Sequence, residues 1–209
     1  MTITQLFSNP PQTKKRGEPV WALASRFPAQ GYWTEEDYLA LDNERNQIVE
    51  LMDGYVEVLP MPTPEHQRIV FFLATALNQF AKPQKLGEAL VAPLPVKLRR
   101  DMFREPDVVF FLQQHRPDGT YAERVDLAVE VVSAGKADRE RDYKQKRREY
   151  SRARIPEYWI VDSQLGQITV FTLSGTRYLE HGVYKKGAKA TSVLLKGFSV
   201  DVTKTLTPD

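Results

Sequence analysis

Two carboxylates sit on stretches that otherwise read as buried β-strand. Asp107 opens Pro106-Asp107-Val108-Val109-Phe110-Phe111, and Glu130 interrupts Leu127-Ala128-Val129-Glu130-Val131-Val132. A carboxylate on a core strand is costly unless a cation, hydrogen-bond donors or a metal compensates it. Glu50, in Ile48-Val49-Glu50-Leu51-Met52, repeats the pattern, although one side of a hairpin strand often faces water. Oxygen donors alone suit Mg²⁺ or Mn²⁺, and the backbone carbonyl of Val131 would add one more.

The run from Lys136 to Arg154 holds nine basic and four acidic residues. At about 100° per residue, Lys146 lies roughly 60° from Tyr143, 40° from Tyr150 and 20° from Ala153. It therefore shares the apolar face, whereas Arg141, Arg148 and Arg152 fall on the opposite, solvated one. A Pro-Asp, a strand glutamate about twenty residues later and an inward lysine together form a chemistry set for metal-dependent phosphodiester hydrolysis. The acids hold the ion, and the lysine stabilises hydroxide or phosphorane charge. Lys144, Arg147 and Arg148 are the candidates for phosphate contact along the basic helix, which is otherwise an ordinary solvated face. His66 lies three, seven and eleven residues before Ile69, Leu73 and Leu77, so it faces the core side of a helix. It is either a satisfied core histidine or a phosphate-positioning group.

The elements that must position these groups follow from local pattern. Thr34 with Glu35, Glu36 and Asp37 predicts a capped helix. Ile48 to Met52 and Tyr55 to Leu59 flank Asp53-Gly54 and predict a type I′ hairpin. Thr63 and Pro64 open a helix through Phe80. Strands are expected over Leu90 to Leu98, Pro106 to Leu112, Val125 to Val132 and Tyr158 to Val161, with a charged helix from Asp138 to Ala153. A hairpin follows over Ile168 to Leu173 and Tyr178 to Tyr184, then a strand at Thr191 to Leu195. The divisions are a flexible arm over 1–32, one α/β domain over 33–203, and a tail at 204–209, with the chain after Phe198 already tail-like.

Taken together, several stretches resemble the bacterial Uma-type restriction endonucleases, within the PD-(D/E)XK restriction-endonuclease-like superfamily. They are Val49-Glu50-Leu51-Met52-Asp53-Gly54, Pro62-Thr63-Pro64-Glu65-His66, Arg104-Glu105-Pro106-Asp107-Val108, Asp126 to Ser133, Asp142 to Tyr150 and Ile155 to Asp162. The resemblance implies an α/β fold, a mixed β-sheet flanked by helices with additional β-hairpins. It also implies Asp107 and Glu130 as metal ligands, Glu50 as a further acid, and Lys146 as a relocated lysine. In the superfamily the lysine ordinarily follows the glutamate by two on the same strand, and here Val132 holds that place. Tyr55 stands where such proteins commonly carry another acid, and Ser133-Ala134-Gly135 replaces the commoner Ser-Pro-Ser type of turn.

Composition bounds the rest. The chain has 209 residues, 42% hydrophobic and 27% charged, enough for one globular core. It has no cysteine, which excludes disulfides, thiolate metal sites and cysteine nucleophiles. With no long apolar run, no membrane role is expected and a cytoplasmic location is. The net charge of +2 carries no argument for nucleic acid by itself. The leading expectation is a Mg²⁺- or Mn²⁺-dependent endonuclease acting on DNA, as a homodimer because two sites cut two strands. Its rivals are an inactive nuclease fold that binds nucleic acid or protein, and a metal-dependent hydrolase of a small phosphoester.

Overall fold

Alternation along β7 (Leu127–Val131) divides its side chains between two cores, and that division organises the molecule. The computed structural model describes residues 28–41, 47–132, 135 and 139–208. β7 lies within a six-stranded sheet ordered β10-β9-β8-β7-β6-β3. Its companions are β3 (Gly87–Val91), β6 (Val108–Leu112), β8 (Glu157–Asp162), β9 (Gln167–Ser174) and β10 (Arg177–Lys185). β7 and β8 are parallel and the other neighbours antiparallel, so the sheet is mixed. Leu127, Val129 and Val131 join Val108 and Phe110 in one core with Ile69, Leu73 and Leu77 of a long helix, α2 (Pro64–Ala81). Ala128 and Val132 join Val109, Phe111, Tyr158 and Ile160 in the other core. A helical segment covers that second face: a π-helical turn at Arg141–Lys146 continues into α3 (Arg147–Arg152), whose Tyr150 is fully buried.

A second sheet, ordered β2-β1-β5-β4, holds β1 (Val49–Met52), β2 (Tyr55–Val58), β4 (Val96–Arg99) and β5 (Met102–Arg104). The β1–β2 turn has positive φ at both Asp53 (50°) and Gly54 (86°), as type I′ requires. A Cβ on Gly54 would lie 2.6 Å from the carbonyl oxygen of Gly31, so this turn also needs glycine for close approach. Helix α1 (Glu35–Ala40) begins in a capping box between Thr34 and Asp37. Trp33, Tyr38, Val49, Leu51 and Phe103 form the small core beneath it.

The sequence expectations hold for the helices at 35 and 64, for both hairpins and for the strands that became β6, β7 and β8, whereas the strand expected over Thr191 to Leu195 lies instead at Lys189–Thr191; other segments need correcting too. The single strand expected over Leu90 to Leu98 is two strands in different sheets, separated by Pro93 and Pro95, which have no N–H to continue a ladder. The three-residue β5 was not anticipated, being too short to show a period. The chain after Phe198 is folded: β12 (Ser199–Asp201) pairs with β11 (Lys189–Thr191), and Asp201 caps α4 (Val202–Leu206). Val202 and Leu206 belong to the main core. At the other end Gln30 exchanges two 2.9 Å hydrogen bonds with the backbone of Val56, and the Gly31 N–H donates to Gly54. The expected arm thus ends docked on the hairpin, and its first 27 residues lie outside the described ones. Among the described residues no helix is long and apolar enough to cross a membrane.

Candidate active site

Strand register brings the first two acids together. In the β6–β7 pair Val108 stands opposite Val129. Asp107 precedes Val108 and Glu130 follows Val129, so the two acids lie at the same end of that pair, and both border one cavity. Asp107 is fixed by two neighbours: the Val131 N–H donates to its Oδ2 at 2.7 Å, and His66 Nε2, from the first turn of α2, lies 3.1 Å from the same oxygen.

The second sheet supplies another cross-strand pair. Leu51 stands opposite Phe103 in the β1–β5 register, so the next step faces Glu50 with Arg104. Arg104 Nη1 donates to Glu50 at 2.5 Å, and the rest of its guanidinium forks onto Glu149 at 2.9 and 3.1 Å. Both Glu50 and Arg104 are buried.

Lys146 joins the two sheets. Its ammonium is 2.9 Å from Glu130 Oε2, 3.6 Å from Glu50 and 3.7 Å from Asp142. The Tyr150 hydroxyl donates to the other Glu130 oxygen at 2.5 Å, so both oxygens of that carboxylate have defined partners. These groups border a cavity of about 200 Å³ whose wall includes His66, Asp107, Glu130, Arg141, Asp142 and Lys146.

The burial that encloses the site also sets its charge. Desolvation pushes Glu130 up to about 8; Asp107 and Asp142 add to the rise, against the opposing pull of Lys146 and the Tyr150 hydroxyl. Desolvation likewise raises Asp142. Glu50 suffers the same burial, yet Lys146 and Arg104 outweigh it and hold its carboxyl below the usual range. Desolvation works against the Lys146 ammonium, but Glu130, Glu50 and Asp142 overcome it and raise its pKa, so it stays protonated. For His66, too, burial opposes charge, and the bond to Asp107 reverses the outcome, raising its pKa.

A pH dependence of stability follows. The folded state holds the Glu130 proton from its ordinary 4.5 up to about 8, whereas the unfolded chain releases it at the lower value. Stability from this group is complete below 4.5 and is lost as pH rises through about 8. Thermal denaturation in a chelating buffer should show that alkaline decline, and Glu130→Gln, with nothing to ionise, should flatten it. An unchanged slope in the variant would place the titration elsewhere.

Of the residues singled out in the sequence, Asp107, Glu130, Val131, Lys146 and His66 border one cavity. Glu50 is buried, not on a wet hairpin face, and its partners are Arg104 and Lys146. It stands behind the cavity wall. Arg147 is engaged within the fold: its guanidinium stacks 4.2 Å from the Phe171 ring centre and donates to the Tyr178 carbonyl. Lys144 is exposed and paired with Glu140, and Arg148 is exposed. Arg141 departs from its expected solvent face and lines the cavity, because the π-helical turn, with i to i+5 bonding, aligns it with Lys146. The sequence reading missed Asp142, Tyr150 as a donor, and Arg104 as the partner of Glu50. Asp142 did leave a signal, standing four residues before Lys146 and hence on its helical face.

Oxygen donors fit a hard divalent cation, and Glu105, Asp107, Glu130 and Asp142 all border this cavity. Among the described residues, no group of three or more His, Asp or Glu converges closely enough to cage an ion as it stands.

The fold is a mixed sheet covered by helices, with Asp107 and Glu130 at one end of its central strands. The crystal structure of "a putative nuclease belonging to DUF820 from Anabaena variabilis ATCC 29413" superposes with a TM-score of 0.68, covering 84% of this chain and 98% of that one at 16% identity. The family model described as "Uma2: Putative restriction endonuclease" matches residues 35–203, and the chain belongs to that family. Among curated proteins none matches it.

Proposed function

We propose that the protein is a divalent-metal-dependent endonuclease that hydrolyses DNA phosphodiester bonds. The observation that carries this reading is the Lys146 ammonium at 2.9 Å from Glu130, on the cavity wall shared with Asp107. That meeting restores, from a helix, the lysine that the strand lacks at Val132. Asp107 and Glu130, with the Val131 carbonyl, are the groups that would hold Mg²⁺ or Mn²⁺, which supplies polarisation of the phosphate and a more acidic water.

The chain's own residues do the rest. Lys146, permanently charged, donates toward the negative charge that develops as the phosphate is attacked. Tyr150 and Lys146 fix the Glu130 carboxylate from its two sides, while the Val131 N–H and His66 fix Asp107, so little reorganisation accompanies the reaction. Glu50 is a positioning residue, holding Lys146 from the second sheet. Of the proposed phosphate contacts, Lys144 and Arg148 remain on the exposed helix face, and Arg141 joins them at the cavity. A homodimer completes the reading for double-strand cleavage.

Supercoiled plasmid tests it. Nicked and linear products are expected with Mg²⁺ or Mn²⁺, none with chelator, and none from Glu130→Gln. Full activity in that variant would remove Glu130 from the site. Duplex binding without cleavage by the wild type would favour the binding-module reading instead.

A further inference from the structure

We propose that Asp142 is a third carboxylate ligand of the cation, a donor carried by the helix rather than by the sheet. The inference rests on the reading that this cavity holds a divalent ion, and it assigns a ligand which the strand motif does not include. Asp142 is 2% exposed and lies on the cavity wall. Its Oδ1 is buried and, among the described residues, makes no hydrogen bond. It is ion-paired with Arg141 Nε at 3.6 Å and Lys146 Nζ at 3.7 Å, but both lie beyond hydrogen-bonding range, so no described residue donates a hydrogen bond to that oxygen. A buried carboxylate oxygen in that state is expensive, and each such group calls for a reason.

A purely structural partner for Lys146 would be a poor reason. Glu130 already fills that place at 2.9 Å, with Glu50 behind it. The backbone, moreover, is arranged to present Asp142. The π-helical turn at Arg141–Lys146 is wider than an α-helical turn, and turns of this type recur at functional sites. Here the turn brings Arg141, Asp142 and Lys146 to the same wall. Tyr158, from β8, pins it by donating its hydroxyl to the Asp142 carbonyl at 3.0 Å. Asp107 and Glu130 approach from the sheet and Asp142 from the helix, so an ion between them would be held from two sides. A modest turn of the Asp142 side chain, which no hydrogen bond to Oδ1 opposes, would complete the set.

The test is metal binding by the full chain, read without catalysis. Calorimetric titration with Mn²⁺ compares wild type, Asp142→Asn and Asp107→Asn, and Eu³⁺ luminescence lifetimes in light and heavy water count the waters on the bound ion. Asn keeps the size of the side chain, and thermal denaturation checks that each variant is folded. Asp142→Asn is expected to weaken Mn²⁺ by roughly tenfold or more and to raise the Eu³⁺ water count. Unchanged affinity in Asp142→Asn, with Asp107→Asn impaired, would overturn the ligand role of Asp142 and leave the metal reading intact. Weaker affinity with an unchanged water count would overturn direct ligation, since charge alone would then be acting. Failure of the wild type to bind Mn²⁺ or Eu³⁺ would overturn the metal reading itself. Should Asp142→Asn unfold, Asp142→Ser, judged by the same titration and water count, decides the matter.

Discussion

Lys146→Met is expected to lower plasmid cleavage by roughly 10²-fold or more while leaving the fold in place. Methionine keeps much of the aliphatic stem that packs within the segment between Tyr143 and Tyr150, and removes only the charge. The loss should appear in the rate at saturating DNA, because the ammonium is buried in the cavity wall rather than exposed on the helix surface. Lys144→Met is the matched control. Lys144 stands on the same turn, is 75% exposed and, among the described residues, pairs with Glu140, so its loss should cost little beyond weak phosphate attraction. Initial rates for the two variants, measured at two salt concentrations, separate the roles. Equal losses from both would mean that the helix works as a basic surface, and the catalytic assignment of Lys146 would fall.

The second large effect concerns stability. Arg104 is 1% exposed and satisfies both Glu50 and Glu149. Arg104→Met fills much of the same volume but leaves Glu50 with the Lys146 ammonium at 3.6 Å and the Glu105 N–H at 3.3 Å as its described partners. Breaking a buried pair from one side typically costs about 3–5 kcal/mol, which for a chain of this size is a fall in melting temperature of roughly 10 °C. Adding Glu50→Gln to Arg104→Met should recover part of the loss, because the uncompensated charge is then gone. A single variant as stable as wild type would show that the pair is energetically idle.

How much of this was legible in the sequence depended on whether the signal was local. The capping residues Thr34 and Thr63, the Asp53-Gly54 turn and the alternation along 127–132 each act over a few residues, and each element formed as expected. Lys146 was found by helical phase, because its burial contradicts its charge. Arg104 was invisible in the same way of reading: its partner lies 54 residues away, and only the β1–β5 register brings the two together. Arg141 was misplaced for a different reason. A constant 100° step assumes an α-helix, and one π-helical turn shifts the phase of everything before it relative to everything after. Glu130 and Asp107 were recognisable singly, whereas their meeting at one cavity needed the strand register.

The small sheet has a core of its own, built from Trp33, Tyr38, Val49, Leu51 and Phe103, and it contributes Glu50 and Arg104 to the ion-pair chain that ends on Glu130. A core of so few side chains is a natural unit of local opening, able to come apart while the six-stranded sheet stays closed. Each such opening would take away the group that steadies Lys146 and leave the ammonium to Glu130 and Asp142 alone. On the endonuclease reading, the fraction of time Lys146 is held for chemistry would then depend on the local stability of a hairpin and a six-residue helix, a quantity open to selection without any change at Asp107 or Glu130.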